Sequence, residues 1–191
     1  MSDAEFALRV RELADPSRGN ADILVDDVSF LGSPFFQDGL AAQEVDRVVT
    51  RLGVAYFSAA GNSARNAYES INFAGNIDSA GIFAGTFHDF DPGAGADTRQ
   101  QVTLDSGLSG FIFQWDDPFF TTNGVDTDLD IFLLEAGTGN ILAQSTERNI
   151  QNQTPLEILQ FDNTSAESIE AEVVINLFAG AEPGRIKIFI L

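Results

Sequence analysis

The first part of the chain alternates between helical and extended hydrophobic patterns. Phe6, Val10 and Leu13 recur at helical spacing, which predicts a helix over residues 4–14 that ends before Pro16. Residues 21–30, ADILVDDVSF, form a continuous apolar run that ends in acids. Such a run is typical of a buried strand in a parallel sheet.

A second helix and a second strand follow the turn SPFFQDGL. Asp38 is a predicted N-cap, and Gly53 is suited to the C-terminal end of the helix. Between them runs one apolar stripe: Ala41, Val45, Val48, Val49 and Leu52. The run from Val54 to Ala59 then predicts another buried strand. Strand, helix and strand in this order predict a right-handed βαβ unit.

After about residue 80 the hydrophobic pattern changes to strict alternation. Turn-forming clusters rich in Gly, Asn and Asp separate the alternating runs. The residues that share a face within each run are Val102 and Leu104; Phe111, Phe113 and Trp115; Leu129, Ile131 and Leu133; Val173, Ile175 and Leu177; and Ile186, Ile188 and Ile190. These runs predict an antiparallel, jelly-roll-like β-sandwich. The predicted organisation is therefore a partial α/β segment over 1–80 and a sandwich over 81–191.

Composition excludes several functional classes. The 191 residues carry a formal net charge of −19, and Lys187 is the single lysine. Binding to nucleic acid or to anionic membranes is not expected, because both require clustered basic residues. The absence of cysteine excludes disulfides and thiolate metal sites. The acidity favours solubility or, alternatively, calcium binding through carboxylate oxygens.

The sequence AAGN at the end of the second strand, after this strand and helix, resembles the subtilisin-like serine peptidases. The resemblance covers about residues 4–65. In that family the segment lies between the catalytic His and the catalytic Ser, and an Asn at this point belongs to the oxyanion hole. Asn62 takes that place here. A preorganised amide of this kind stabilises the tetrahedral oxyanion by about 3–4 kcal/mol, a value known from subtilisin itself.

The same resemblance implies a substrate-binding role for the first strand and the turn after it, although ADILVDDVSFLGS departs from the usual form of that strand. The implied substrate-binding residues are Asp26, Asp27, Ser29, Gly32 and Gly61. Asp26 and Asp27 suggest a preference for substrates with basic side chains. Alternatively, one of the two carboxylates faces solvent or a helix N-terminus.

The catalytic triad of this family has no match in the chain. The single histidine, His88, follows Asn62, whereas the family's His precedes it, and no Ser nucleophile motif occurs. His88 is predicted to be a turn or strand-edge residue hydrogen-bonded to Asp89 or Asp91. The chain is thus expected to be an interior piece of a peptidase. On its own, this piece is expected not to hydrolyse peptides.

The second half contains acidic clusters and resembles the pre-peptidase C-terminal-like sandwiches of bacterial secreted peptidases. Asp126, Asp128 and Asp130 alternate along one predicted strand and share a face. They suggest a Ca²⁺ site, although the glycine and the terminal Glu of an EF-hand loop are missing. The alternative is a set of solvated acids that protects an edge strand. No cofactor is otherwise predicted.

The alternative function is a non-catalytic sandwich that binds protein or glycan. Trp115, Phe119 and Phe120 would support it if they were exposed on one face, although the alternation at Trp115 also suits core packing. No signal peptide is visible, and the resemblance implies an extracellular or cell-surface parent protein. A truncated parallel sheet exposes an edge strand, which suggests a homodimer.

Overall fold

The computed structural model describes residues 1–62, 66–78, 80–91 and 93–191, which divide into two compact units. The N-terminal unit covers 1–64 and the β unit covers 65–191. The fold is mostly β, with antiparallel sheets. Within the described residues, no helix has the length and apolar character that crossing a membrane requires.

The N-terminal unit contains two helices and a two-stranded parallel sheet. Its elements are α1 (Asp3–Ala14), β1 (Ile23–Asp26), α2 (Leu40–Leu52) and β2 (Ala55–Ser58). The parallel pairing of β1 with β2 around α2 confirms the predicted strand, helix and strand. Ser2 caps α1 in a capping box with Glu5. The predicted N-cap of α2 is wrong: Gly39 takes that position without a side-chain cap, while Gly53 ends the helix in the left-handed conformation as predicted.

The two helices cover one face of the parallel sheet. Val10 and Ala14 of α1 and Val48 of α2 form a small core with Leu24 of β1 and with Val54, the residue before β2. The opposite face is apolar but exposed: Ile23 is 60% exposed, Val25 75% and Phe57 60%. The prediction of fully buried strands is therefore wrong for this face, because β1 and β2 alternate like strands that are covered on one side.

The β unit contains two antiparallel sheets. The four-stranded sheet has the order β10-β7-β12-β3, formed by β3 (Ala67–Ser70), β7 (Gly107–Trp115), β10 (Leu156–Asn163) and β12 (Ile186–Ile190). The six-stranded sheet has the order β4-β5-β11-β8-β9, and β6 also pairs with β11. Its strands are β4 (Gly75–Asp78), β5 (Gly85–His88), β6 (Gln100–Leu104), β8 (Thr127–Glu135), β9 (Ile141–Ser145) and β11 (Ile169–Gly180). The short helix α3 (Asn149–Asn152) precedes β10.

One hydrophobic cluster joins the inner faces of the two sheets. It contains Phe111, Phe113 and Trp115 of β7 together with Leu129 and Ile131 of β8. Alternation therefore predicted the inward-facing positions correctly, because each of these side chains is fully buried. Two sheets packed face to face in this way have the arrangement of a β-sandwich.

The β unit begins before residue 81. The strands β3 and β4 precede that position, yet β3 pairs with β12 and β4 pairs with β5. Their sequences, AYES and GNID, are short and polar, so the apolar alternation that predicted the later strands is absent from them. The compact units accordingly divide at 64/65 instead of at the predicted 80/81.

Candidate functional site

The carboxyl ends of β1 and β2 lie side by side, with Asp26 paired to Ser58. Because the strands are parallel, the loops that follow them leave the sheet at the same edge. The predicted substrate-binding residues Asp26, Asp27, Ser29 and Gly32 end or follow β1, and Gly61 and Asn62 follow β2. Such an edge is where open α/β sheets bind their ligands.

Three neighbouring groups donate hydrogen bonds to the carboxylate of Asp26. The Tyr56 hydroxyl donates to Oδ2, the Ser58 hydroxyl donates to Oδ1 at 3.0 Å, and the Val28 amide donates to Oδ1 at 3.3 Å. Burial, together with this carboxylate, raises the pKa of Tyr56 above its ordinary value. Asp26 therefore ties the ends of the two strands together, whereas Asp27 is exposed to solvent.

Asn62 is exposed and follows a glycine with an unusual backbone conformation. Gly61 has φ of +74°, and a Cβ added there would meet no atom of the described residues within 4 Å. Glycine is thus favoured by the left-handed backbone and not by lack of space. Ser29 and Gly32 are also exposed. Residues 63–65, which follow the AAGN sequence, lie outside the described residues.

His88 is a buried residue in an aromatic cluster, so its predicted contact with Asp89 or Asp91 is wrong. The rings of Tyr68, Phe73 and Phe90 surround it, with centroids 4.9–5.7 Å away. Its Nδ1 accepts a hydrogen bond from the Ala74 amide at 3.2 Å, and its Nε2 lies 2.8 Å from the Tyr68 hydroxyl. A backbone N–H can only donate, so the neutral ring carries its proton on Nε2 and donates it to Tyr68.

The three aromatic residues considered for a binding face do not form one. Trp115 is fully buried and Phe119 is buried, whereas Phe120 is exposed. The Trp115 indole donates to Asp117 Oδ2 at 3.2 Å, and the same oxygen accepts the Asp126 and Thr127 amides. This tryptophan is therefore part of the core, as its alternation with Phe111 and Phe113 predicted.

The three aspartates proposed as calcium ligands lie in different environments. Asp126 is exposed before β8 begins, whereas Asp128 and Asp130 are buried within β8. Across the described residues, no three acidic or histidine side chains come close enough together to hold a metal ion. The alternative of solvated edge acids is wrong for Asp128 and Asp130, because β8 is an internal strand between β9 and β11.

Asp130 instead lies in a cleft on the outer face of the six-stranded sheet. The cleft has a volume of about 370 Å³, and its walls include Phe83, Phe132, Phe178 and Arg148. Phe132 is buried and packs edge-on against Phe83, with ring centroids 5.6 Å apart. Phe178 is 68% exposed. We call this site the Asp130 cleft.

Phe178 lines the cleft from β11, on the same face as Val174, and lies at an irregularity of that strand. The pairing register with β8 shifts between Leu177 and Ala179, so Phe178 is an extra residue without a partner in the ladder. β-Bulges of this kind redirect a side chain and are enriched beside functional sites. Gly180, with φ of +89°, follows immediately.

Three carboxylates shape the electrostatics around the Asp130 cleft. Burial, reinforced by the charges of Asp128 and Glu157, raises the pKa of Asp130 to about 7. Burial also raises the pKa of Glu157, although that carboxylate accepts bonds from Ser145, from the Glu147 amide at 3.0 Å and from Asn149 at 2.9 Å. Asp130 therefore changes its charge near neutral pH, unlike an ordinary aspartate.

Sequence reasoning found Asp130 but assigned it to a different site and missed the residues around it. Phe178 carried a usable signal, because it falls out of phase with the apolar residues Val173, Ile175 and Leu177. Phe83 and Arg148 carried no comparable signal, since they lie outside the alternating runs and reach the cleft only through the fold.

Comparisons with known proteins add no assignment: no protein-family model matches the chain, and a search of curated proteins finds no match.

Proposed function

We propose that the N-terminal unit is a segment of a subtilisin-like serine endopeptidase domain whose catalytic Asp, His and Ser lie outside these 191 residues. The observation that carries this proposal is the uncovered apolar face of β1 and β2. Parallel sheets occur almost only with both faces covered. Burying a side chain such as Ile23, Val25 or Phe57 contributes about 1.5–3 kcal/mol, so this face favours a further layer of structure.

In this proposal the edge formed by the carboxyl ends of β1 and β2 lines the substrate cleft. Asn62 donates its amide to the oxyanion of the tetrahedral intermediate, and Gly61 allows the backbone turn that precedes it. Asp26 holds the two strand ends through Tyr56 and Ser58. The exposed Asp27 is the carboxylate available to a basic substrate side chain.

The test uses the protein produced together with its flanking coding sequence. We expect labelling by a fluorophosphonate, hydrolysis of peptides and, for Asn62→Ala, a fall in kcat of about 100- to 1,000-fold with little change in KM. Asn123→Ala, at an exposed asparagine of the β unit, is the matched control and should retain full activity. Flanking sequence without Asp, His and Ser motifs, or an Asn62→Ala variant of unchanged kcat, would contradict the proposal.

The preference for basic substrates is tested separately. In the same active protein, Asp27→Ala should reduce kcat/KM for a peptide with arginine at the cleavage site relative to a peptide with leucine. An unchanged ratio would remove this part of the proposal and leave the role of Asn62 in place.

We propose as a second function that the β unit is an accessory, non-catalytic binding module for protein or glycan. The Asp130 cleft supports it, because exposed Phe178 and half-exposed Phe83 form apolar walls beside a polar floor. Titration of the ¹⁵N-labelled chain with peptides and with maltohexaose tests this function. Shifts confined to the cleft are expected with one of them, and shifts with neither would contradict it.

A further inference from the structure

The floor of the Asp130 cleft carries a carboxylate without a neutralising partner. Asp130 is 6% exposed, and within the described residues its side chain has neither a hydrogen bond nor an ion pair. Beside it on β8, Oδ1 of Asp128 is buried and likewise lacks a hydrogen-bond partner. A buried carboxylate without partners is unfavourable, so a ligand that supplies them would gain from the contact.

The charged groups around Asp130 favour a cation over an anion. The charges of Asp128, on the same strand, and of Glu157, on β10, both act on Asp130. Arg148 is the basic group at the cleft; it is exposed and forms no ion pair within the described residues. When ionised, Asp128, Asp130 and Glu157 together outweigh the single positive charge of Arg148, and the formal net charge of −19 attracts cations from a distance.

The walls of the cleft suit an apolar stem that carries such a cation. Phe178 and Phe83 present exposed ring surface, and Phe132 closes the cleft behind Phe83. Aliphatic chains pack on such faces, and a cation within about 6 Å of a ring gains a further attraction. Lysine and arginine side chains combine both features: three or four methylene groups and a charged head.

We infer that the Asp130 cleft binds a basic side chain of a polypeptide partner, with its charged head on Asp130 and its stem against Phe178 and Phe83. This inference rests on the second proposed function, the binding module, and names its ligand class. It is independent of the subtilisin-like segment. Phe178 lies in the cleft beside the irregularity of β11, on the same face of the sheet as Val174 and Phe132.

The inference is tested by titrating the ¹⁵N-labelled full chain with N-acetyl-arginine amide and following its amide resonances. We expect shifts at Phe83, Phe132, Gln144 and Phe178, with a Kd on the order of 1 mM for this small probe. The N-acetyl-citrulline analogue, which has nearly the same shape without the charge, should bind at least about tenfold more weakly.

Two pairs of variants separate recognition from general acidity and from folding. Asp130→Asn keeps the shape of the floor and should weaken arginine binding about tenfold or more, while Asp162→Asn, at an exposed acid on β10, should not. Phe178→Ala should weaken binding, while Phe120→Ala, at another exposed phenylalanine, should leave it unchanged. The replaced phenylalanines are exposed, so these variants should retain the fold.

Binding should also depend on pH, because a cation requires the ionised form of Asp130. With a pKa of about 7 in the free protein, the ionised fraction and the affinity for the arginine probe should both rise about 30-fold between pH 5.5 and pH 8. The probe itself stays charged over this range.

Equal binding of the citrulline analogue, or unchanged binding by Asp130→Asn, would overturn the inference. Shifts spread over the acidic surface and unaffected by Asp130→Asn would also overturn it. If maltohexaose shifts the cleft resonances and the arginine probe does not, the inference is wrong and the binding module remains. If the arginine probe, maltohexaose and the peptides all fail to bind, both the inference and the binding module are wrong.

Discussion

The burial of His88 predicts an imidazole that stays neutral far into the acidic range. Burial lowers the pKa of His88 from an ordinary 6.5 to about 4. Protonation would also place a new N–H at Nδ1, where the Ala74 amide already donates. Both effects disfavour the imidazolium in the folded protein, and in the unfolded chain neither applies.

The magnitude follows from the difference between the two states. Lowering the pKa of His88 from 6.5 to about 4 corresponds to about 3 kcal/mol of folding free energy. The unfolded chain takes up the proton near pH 6.5 and the folded chain near pH 4, so this stability is present above pH 6.5 and is lost as the pH falls toward 4. Asp130 acts in the opposite direction over pH 4–7, because its raised pKa lets the folded state hold a proton that the unfolded state has lost.

An NMR titration of His88 measures its contribution separately from that of Asp130. His88 is the single histidine, so the Hε1 resonance of untagged protein reports its protonation without overlap. We expect a midpoint near pH 4, and a higher midpoint in Phe90→Ala, which removes a ring 4.9 Å from the imidazole. Phe120→Ala should leave the midpoint unchanged. A midpoint near 6.5 in the folded wild type would refute the reasoning from burial.

Three further predictions are checked by urea denaturation. Gly180→Ala should cost about 2–4 kcal/mol, because φ is +89° and the new Cβ would lie 1.9 Å from the Asp126 carbonyl oxygen; a cost below 1 kcal/mol would contradict this geometry. Asn163→Ala should lower the free energy of unfolding by about 2–3 kcal/mol, because the buried amide of Asn163 donates to three backbone carbonyls. The control Asn152→Ala, at an exposed site, should lower it by less than about 1 kcal/mol. Two guanidinium groups hold the pKa of Glu44 at about 2. Glu44→Gln should therefore lower the free energy of unfolding by about 1–3 kcal/mol at neutral pH and remove the loss of stability as the pH falls from 4.5 toward 2. An unchanged dependence of stability on acid pH would contradict this assignment.

The sequence predicted strands best where apolar residues alternate over five or more positions. Leu129, Ile131 and Leu133 were assigned to the correct face because one buried side of a sheet imposes a period of two. The pairing of strands was not predictable in the same way. β11 has neighbours far away along the chain, and no local pattern encodes which strand lies next to it.

In the candidate sites, too, local patterns predicted local structure but not contacts between distant segments. The parallel edge that holds Asp26 and Asn62 followed from local strand and helix signals. The burial of His88 did not, because Tyr68, Phe73 and Phe90 enclose it from separate segments. Alternating acidic residues also predict a solvent-exposed face. This prediction fails for Asp130 because β8 lies between two other strands of its sheet.

The order of the strands has a consequence for how the β unit forms during synthesis. β11 is central in one sheet, where its first half pairs with β6 and its second half with β5, and β12 is central in the other. Both strands lie within residues 169–190. Strands β5, β6 and β8 therefore leave the ribosome before their neighbour β11, and strands β3 and β7 before their neighbour β12. The ribosome must synthesise residues 169–190 before both sheets can close, so a stop codon before residue 169 removes an interior strand from each sheet at once.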